Sequence, residues 1–138
     1  MSPFADYLHE QRLKRGIRQT ELAELLGYEQ SYISALEIGT KGPPTPEFLD
    51  KLARSLDMSD AERQELEQIV DASQRKLALD VDSSEGAYWM LYELRQQLDQ
   101  LHPVKVQMIR DILKLKLMHH EPEPPRRIKR RPREEAAM

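Results

Sequence analysis

Cysteine is absent from this 138-residue sequence, and its absence excludes disulfide bonds, thiolate metal sites and cysteine nucleophiles. Aromatic residues are few, at 6% of the chain, and no apolar run approaches the ~20 residues that a membrane-spanning helix needs. The opening residues MSPFADYLHEQRLKRG lack the basic start and long apolar segment of a secretory signal peptide. We therefore expect a cytoplasmic protein without a membrane anchor.

The charge of the chain is balanced overall but unevenly distributed. The formal net charge is −3, which alone disfavours nucleic acid as a partner, because nucleic-acid-binding domains usually carry a positive excess. Residues 1–45 contain five basic and six acidic side chains, whereas six of the eight residues from Arg126 to Arg133 are basic. The total charge therefore does not decide the class of partner.

Apolar residues recur with a helical period through residues 1–78, and the alternation typical of strands is absent. The first helix should run from about Pro3 to Arg15 and end at Gly16. A fourth helix should follow the Gly-Pro-Pro segment, with Thr45 as its N-cap and Pro46 in its first turn. The pattern predicts an all-α domain of five helices.

The fifth helix of this domain has its own start signal. Ser59 precedes Glu62 by three residues, which is the spacing of a capping box. The residues expected on the inner face of this helix are Leu66, Ile69, Val70 and Leu77.

A second helical unit is predicted at residues 80–118. Leucines and an alanine follow one another in alternating steps of four and three residues, the spacing of a coiled-coil seam. These residues are Ala87, Leu91, Leu94, Leu98 and Leu101. Pro103 should end this helix or open the next, VKVQMIRDILKLKLM, which is apolar on more than half of its circumference. Together the two helices predict a hairpin.

This hairpin would leave apolar surface uncovered, and two interpretations are open. The surface packs on the first domain, or it packs on a second copy of the chain. We favour the second copy, because large exposed apolar patches usually mark interfaces. The candidate oligomerisation residues are Leu91, Leu94, Leu98, Leu101, Ile109 and Ile112.

Two short helices are predicted back to back in QTELAELLGYEQSYISALEI, residues 19–38. Ala23 is a small residue at the middle of the first helix, where a second helix can cross closely. Gly27 lies at the turn, which needs a residue that tolerates positive φ. Leu22, Leu26, Ile33 and Leu36 fall on the inner faces. At these offsets, and with helices on both sides, the pattern predicts a helix-turn-helix.

The sequence resembles the XRE family, the class of lambda repressor and Cro, over roughly residues 4–70. The resemblance rests on Arg12, Gln19, ELAELLG, SYIS, Leu36 with Glu37, Gly39 and FLDKLARSLDM. It implies a five-helix, lambda-repressor-like DNA-binding domain whose third helix lies in the major groove of double-stranded DNA.

Carried over by position, the resemblance implies a set of DNA-binding residues: Gln19, Glu29, Gln30, Ser31, Tyr32, Ser34, Ala35 and Lys41. Gln19 is expected near a phosphate, and Gln30 can pair with adenine through two hydrogen bonds. Arg12 and Glu37 match a structural pair that joins the first helix to the third. Loss of one partner would leave the other charge partly buried and unpaired.

Two features depart from the family pattern. Ile38 stands where a polar residue or arginine often grips a phosphate, and Glu29 would repel phosphate unless it accepts from a cytosine amine. Tight binding to DNA therefore needs a further source of positive charge or a second copy of the domain.

The last residues, 119–138, contain four prolines and no apolar period, which predicts a disordered tail. Its basic residues are Arg126, Arg127, Lys129, Arg130, Arg131 and Arg133. The tail is either a solubilising segment or an arm that contacts the DNA backbone. We slightly favour the arm, because the domain itself supplies little positive charge.

The sequence contains no converging acids, bases or metal ligands, so we expect no enzyme activity, no cofactor and no metal. The favoured hypothesis is a sequence-specific transcription regulator that acts as a homodimer or higher homo-oligomer, most simply as a repressor. Two alternatives remain: an antitoxin that binds a protein partner through its C-terminal half and regulates its own synthesis, and a protein-interaction adaptor.

Overall fold

The computed structural model describes residues 1–117, and within them the chain forms α-helices and one 3₁₀ turn but no β-strand. The α-helices are α1 (Pro3–Lys14), α2 (Gln19–Leu26), α3 (Gln30–Ile38), α4 (Pro46–Ser55), α5 (Asp60–Ala72), α6 (Glu85–Gln97) and α7 (Pro103–Leu113). Met1–Leu77 forms one compact unit, and a second begins at Ala78. The prediction of an all-α protein with five helices in its first unit is confirmed.

Side-chain caps fix where several helices of the first unit begin. Thr45 Oγ1 accepts from the backbone N–H of Phe48 at 3.2 Å, and Ser59 Oγ accepts from that of Glu62 at 3.2 Å. A hydroxyl in this position satisfies a donor that the helix itself cannot pair. Pro46 occupies the first turn of α4, where its missing N–H costs nothing.

The core of the first unit is formed by all five helices. Its fully buried large side chains are Phe4, Leu8, Leu22, Ile33, Leu36, Phe48 and Leu52. Phe4 of α1 meets Phe48 of α4 edge to face, with ring centroids 6.4 Å apart. Burial of each such side chain contributes about 1.5–3 kcal/mol to stability, so this core holds α2 and α3 firmly.

The turn between α2 and α3 depends on one glycine. Gly27 adopts φ 76°, ψ 31°, a left-handed conformation that costs other residues free energy. Ala23, one turn earlier on α2, is buried, and α2 and α3 are in contact. The left-handed glycine thus allows the chain to turn directly from α2 into α3.

The end of α5 corrects one expectation. The helix ends at Ala72, and Ser73 folds back so that its Oγ accepts from the backbone N–H of Phe4 at 2.9 Å. Leu77, which the helical period placed inside, lies beyond this end and is exposed. The apolar period extended past the true end of the helix, because a period alone contains no stop signal at Ser73.

The second unit contains α6, the 3₁₀ turn at Leu98–Gln100, and α7. Ser84 caps α6, and Pro103 opens α7 rather than ending the helix before it. Four positions of the expected seam are half-buried: Ala87, Leu91, Leu94 and Leu101. Leu98 is 59% exposed, because α6 gives way there to the 3₁₀ turn and the helical spacing is interrupted.

Neither α6 nor α7 contains a fully buried residue. The exposed apolar side chains in this unit include Trp89, Met90, Val104, Met108, Ile109 and Ile112. Between residues 1 and 117 no helix is both long and apolar enough to span a membrane. The predicted basic tail, with its arginines and Lys129, lies outside the described residues.

Candidate nucleic-acid interface

One side of α3 is polar and faces away from the core. Gln30 and Ser31 are exposed in its first turn, and Ser34 and Ala35 follow one turn later, half-buried. Residues three and four apart share a helix face, so these four side chains form one edge. Ile38 continues the same edge and is 62% exposed. The edge therefore combines small hydrogen-bonding groups with two apolar side chains.

The opposite side of α3 anchors it in the domain. Ile33 and Leu36 are buried in the core between the other helices. The left-handed Gly39 ends the helix, and the backbone N–H groups of Gly39 and Thr40 both donate to the carbonyl of Ala35. This anchoring fixes the direction in which Gln30 and its neighbours project.

Glu37 lies on the inner side of α3 and pairs with Arg12 of α1. Arg12 Nε donates to Glu37 Oε1 at 2.7 Å, and Arg12 Nη2 reaches Glu37 Oε2 at 3.4 Å. The side chains are 13% and 4% exposed, so the pair is largely shielded from water. Arg12 Nη1 also donates to the carbonyl of Ile17 at 3.1 Å. The guanidinium thus ties α1, the loop before α2, and α3 together.

Glu37 also organises the residues that reach the surface. Gln19 Nε2 donates to Glu37 Oε2, and Gln30 Nε2 donates to Gln19 Oε1 at 2.8 Å. We call Glu37, Gln19 and Gln30 the polar network. It runs from a buried carboxylate to an exposed glutamine at the start of α3. Two residues singled out for DNA contact, Gln19 and Gln30, are therefore in direct contact with each other and with the structural pair.

The starts of α2 and α3 differ from those of the other helices between residues 1 and 117. Arg18 and Glu29 precede α2 and α3 and make no side-chain capping bond. The remaining α-helices are capped by Ser2, Thr45, Ser59, Ser84 and His102. Uncapped N–H groups and the positive end of the helix dipole attract anions such as phosphate. Gln19, the first residue of α2, lies at such a position.

Tyr32 lies at the border between the core and the surface of α3. Its ring stacks on that of Tyr28 at 5.3 Å and meets Phe48 at 5.7 Å, while Lys41 Nζ lies 5.7 Å from its centroid. Burial raises the pKa of the Tyr32 phenol, and Tyr28 raises it further. The phenol consequently stays neutral near pH 7, where it is a hydrogen-bond donor.

Sequence reasoning missed two residues that support the interface. Arg75, beyond α5, donates through Nη2 to the carbonyl of Gly39 and so holds the end of α3. His9 Nδ1 lies 3.3 Å from Arg12 Nη2 and 3.6 Å from Glu37 Oε1. His9 could have been found, since it precedes Arg12 by one helical turn. Arg75 is 36 residues from Gly39, and no local pattern links them.

The other predicted residues are distributed more widely. Glu29 is exposed before α3, with its Oε2 3.5 Å from Ser31 Oγ. The candidate oligomerisation leucines and isoleucines belong to the second unit. Among residues 1–117, no group of three or more histidine, aspartate or glutamate side chains is arranged to hold a metal ion.

Comparison with known proteins finds a similarity for the first unit. A helix-turn-helix domain family matches residues 3–66. A chain from a solved SinR protein/SinI protein complex is similar at a TM-score of 0.40 and 22% identity, over 80% of this chain and 94% of that one. No curated protein matches. The family match and the five-helix fold agree that residues 3–66 form a helix-turn-helix domain, and the buried Arg12–Glu37 pair lies within it.

Proposed function

We propose that the protein is a sequence-specific transcription regulator that binds double-stranded DNA as a homodimer in the cytoplasm, most simply as a repressor. The observation that carries the proposal is the position of Gln30. This side chain is exposed at the start of α3 and is held by Gln19, which the buried Glu37 holds in turn. The hydrogen bond to Gln19 sets the orientation of the Gln30 amide before DNA binds, which favours recognition of a base.

The outer edge of α3 has the chemistry of base reading. The Gln30 amide can accept from adenine N6 and donate to N7, and Ser31 and Ser34 hydroxyls can pair with several bases. The methyl group of Ala35 and the exposed Ile38 are suited to a thymine methyl group. Gln19, with a second Nε2 hydrogen and the free start of α2, is placed to bind a phosphate. Tyr32 and Lys41 supply further donors at the same edge.

The second unit supplies the reason for a dimer. Its helices expose Trp89, Met90, Val104 and Ile112, and monomers rarely leave so many apolar side chains in water. A two-fold dimer would carry two copies of α3 to two half-sites about one helical turn apart, or a multiple of that distance. Two weakly binding domains then act together, which compensates for the low positive charge of each. A dimer bound across a promoter would act as a repressor by excluding RNA polymerase.

Selection from random DNA tests the proposal. The full-length protein is incubated with a library of duplexes randomised over about 30 base pairs, and the bound fraction is sequenced through several rounds. We expect enrichment of one sequence with two related half-sites, and a footprint across both. Recovery of duplexes without sequence enrichment would contradict specific recognition, and enrichment without repeat symmetry would contradict the two-fold dimer.

A further inference from the structure

In the polar network, Glu37 determines which side chain donates and which accepts each hydrogen bond. A carboxylate paired with a guanidinium has acceptors only, so Gln19 must turn its Nε2 toward Glu37. The Gln19 oxygen then faces Gln30 and accepts only, so Gln30 must present its own Nε2, at 2.8 Å. The direction of both amides follows from one buried charge.

This order determines what Gln30 offers to a base. One of its two N–H bonds is used by Gln19, and the remaining edge of the amide carries Oε1 beside the other N–H. Adenine matches this edge, because its N6 amino group donates and its N7 accepts. A base that has a keto oxygen in place of the amino group would set two acceptors against each other.

We infer that Glu37 is a specificity-determining residue: through Gln19 it fixes the amide orientation of Gln30, so the protein prefers an amino-bearing base over a keto-bearing base. The inference rests on the proposed function, since it names which base Gln30 selects and why. Glu37 is buried and reaches no DNA itself, so it acts as a positioning residue. The terminal torsion of a glutamine is soft and nearly two-fold, so without this control both orientations would be accessible.

The substitution Glu37→Gln tests the inference because it reverses the order of the network at nearly constant shape. Its oxygen can still accept from Arg12, and its amino group then faces Gln19. Gln19 would turn its oxygen inward and its Nε2 toward Gln30, which would present Oε1 to it. The edge offered to DNA is then inverted: its N–H would face the adenine N6 amino group and its Oε1 would face N7, so adenine is no longer matched. Guanine is not matched either, because Oε1 would still oppose its N7.

The experiment is selection from randomised duplexes by full-length wild type and variants, read position by position. Wild type should prefer adenine over guanine by roughly 5- to 150-fold at one position per half-site. That position is identified as the one at which Gln30→Ala loses the base preference. Glu37→Gln should abolish the adenine preference at that position and leave the other positions unchanged. Gln19→Met, which makes no hydrogen bond at its tip, should only weaken the adenine preference, because both amide orientations of Gln30 become accessible.

A second variant covers the case in which Glu37→Gln fails to fold. Gln19→Lys leaves the Arg12–Glu37 pair intact, and its ammonium group, which only donates, should bond Glu37 and the Gln30 oxygen together. It should produce the same loss of the adenine preference as Glu37→Gln, with a wild-type circular dichroism spectrum. An adenine preference that depends on Gln30 but survives in every folded variant would overturn this inference alone. Absence of any selected sequence with wild type would overturn the proposed function and this inference with it.

Discussion

Arg12 and Glu37 are 25 positions apart in the sequence, yet Arg12 Nε donates to Glu37 Oε1 at 2.7 Å inside the domain. The hydrogen bond joins α1 to the side of α3 opposite the exposed edge that begins with Gln30 and Ser31. We call that exposed edge the reading edge. Gln19 bonds to the same carboxylate, so this buried pair also holds a residue that reaches the surface.

Replacement of Arg12 should lower the free energy of unfolding of the domain. In Arg12→Ala the Glu37 carboxylate, 4% exposed, keeps Gln19 but no longer has its guanidinium, and we expect a loss of about 3 kcal/mol of unfolding free energy. Urea denaturation measures the loss. The matched control is Arg54→Ala, whose exposed ion pair with Asp50, at 2.8 Å, should be worth less than about 1 kcal/mol.

The double variant Arg12→Met with Glu37→Met tests whether the loss in Arg12→Ala comes from the unpaired buried charge. It leaves no unpaired buried charge, so it should recover much of the stability that Arg12→Ala loses. Similar losses for Arg12→Ala and Arg54→Ala would show that the buried pair has no special role.

Replacement of Ser73 should lower the stability of the domain more than replacement of an exposed serine. Its Oγ accepts from the backbone N–H of Phe4 and donates to the carbonyl of Ile69 at 2.7 Å. Ser73→Ala would leave a buried N–H in the first turn of α1 without its partner, at a cost of about 1–3 kcal/mol. Thermal unfolding should show a clear decrease in Tm, whereas the exposed Ser55→Ala should change it little. Equal Tm values for the two variants would mean that another group replaces Ser73.

Local patterns of the sequence were sufficient for the helices and for the helix-turn-helix. The offsets of Ala23, Gly27 and the inner leucines describe packing within about 20 residues, and periodicity records such packing. Helix ends were less predictable: Leu77 and Leu98 continue an apolar period past points where the helix stops. A side chain that folds back, such as Ser73, leaves no periodic trace.

The four residues joined by these hydrogen bonds were named from the sequence, but the bonds between Glu37, Gln19 and Gln30 were not. The resemblance supplied Gln19, Gln30, Arg12 and Glu37 as separate residues with separate roles. That Gln19 bridges Glu37 and Gln30 depends on how α1, α2 and α3 pack, which is a property of the tertiary structure. The bond from Arg75 to the Gly39 carbonyl is of the same kind.

The reading positions should be separable from the fold. Gln30→Ala and Ser31→Ala remove exposed side chains, so the helical content and Tm should stay near those of wild type. Each substitution that removes a hydrogen bond to a base should weaken binding to the selected operator by about 1–3 kcal/mol, measured by fluorescence anisotropy. Gln64→Ala, an exposed glutamine on α5, is the matched control and should bind normally. Equal operator affinity for all three variants would refute the assignment of the reading edge.

Self-association should depend on the second unit. Ile109→Asp and Ile112→Asp place a charge on exposed apolar positions of α7, which a dimer would have to bury unpaired. Sedimentation velocity should show a shift toward monomer, and affinity for a two-half-site operator should decrease more than affinity for a single half-site. Val81→Asp is the control, since it adds the same charge at a position 94% exposed before α6.

Two results would contradict this assignment. One is an unchanged dimer in both α7 variants. The other is a chain ending at Asp80 that dimerises as well as the full protein. Co-purification of a second protein with wild type, and its loss in the α7 variants, would instead support the alternative in which this surface binds a different partner.

The basic tail should act through phosphate contacts if it is an arm on DNA. Its basic residues are Arg126, Arg127, Lys129, Arg130, Arg131 and Arg133. Each phosphate that they neutralise releases counterions and steepens the slope of log affinity against log salt by about 0.9. Deletion of residues 121–138 should therefore flatten the slope and weaken operator and random DNA by similar factors, because phosphate contacts do not read sequence.

The neighbouring acidic residues reduce this effect and allow a control. Glu121 and Glu123 precede the basic run, and Glu134 and Glu135 follow it, so the net attraction is smaller than six charges suggest. Replacement of these four glutamates by glutamine should steepen the salt slope, in the opposite direction to the deletion. A solubilising tail would leave the slope unchanged in both variants and alter only aggregation, and that result, measured with the dimer intact, would reject the arm.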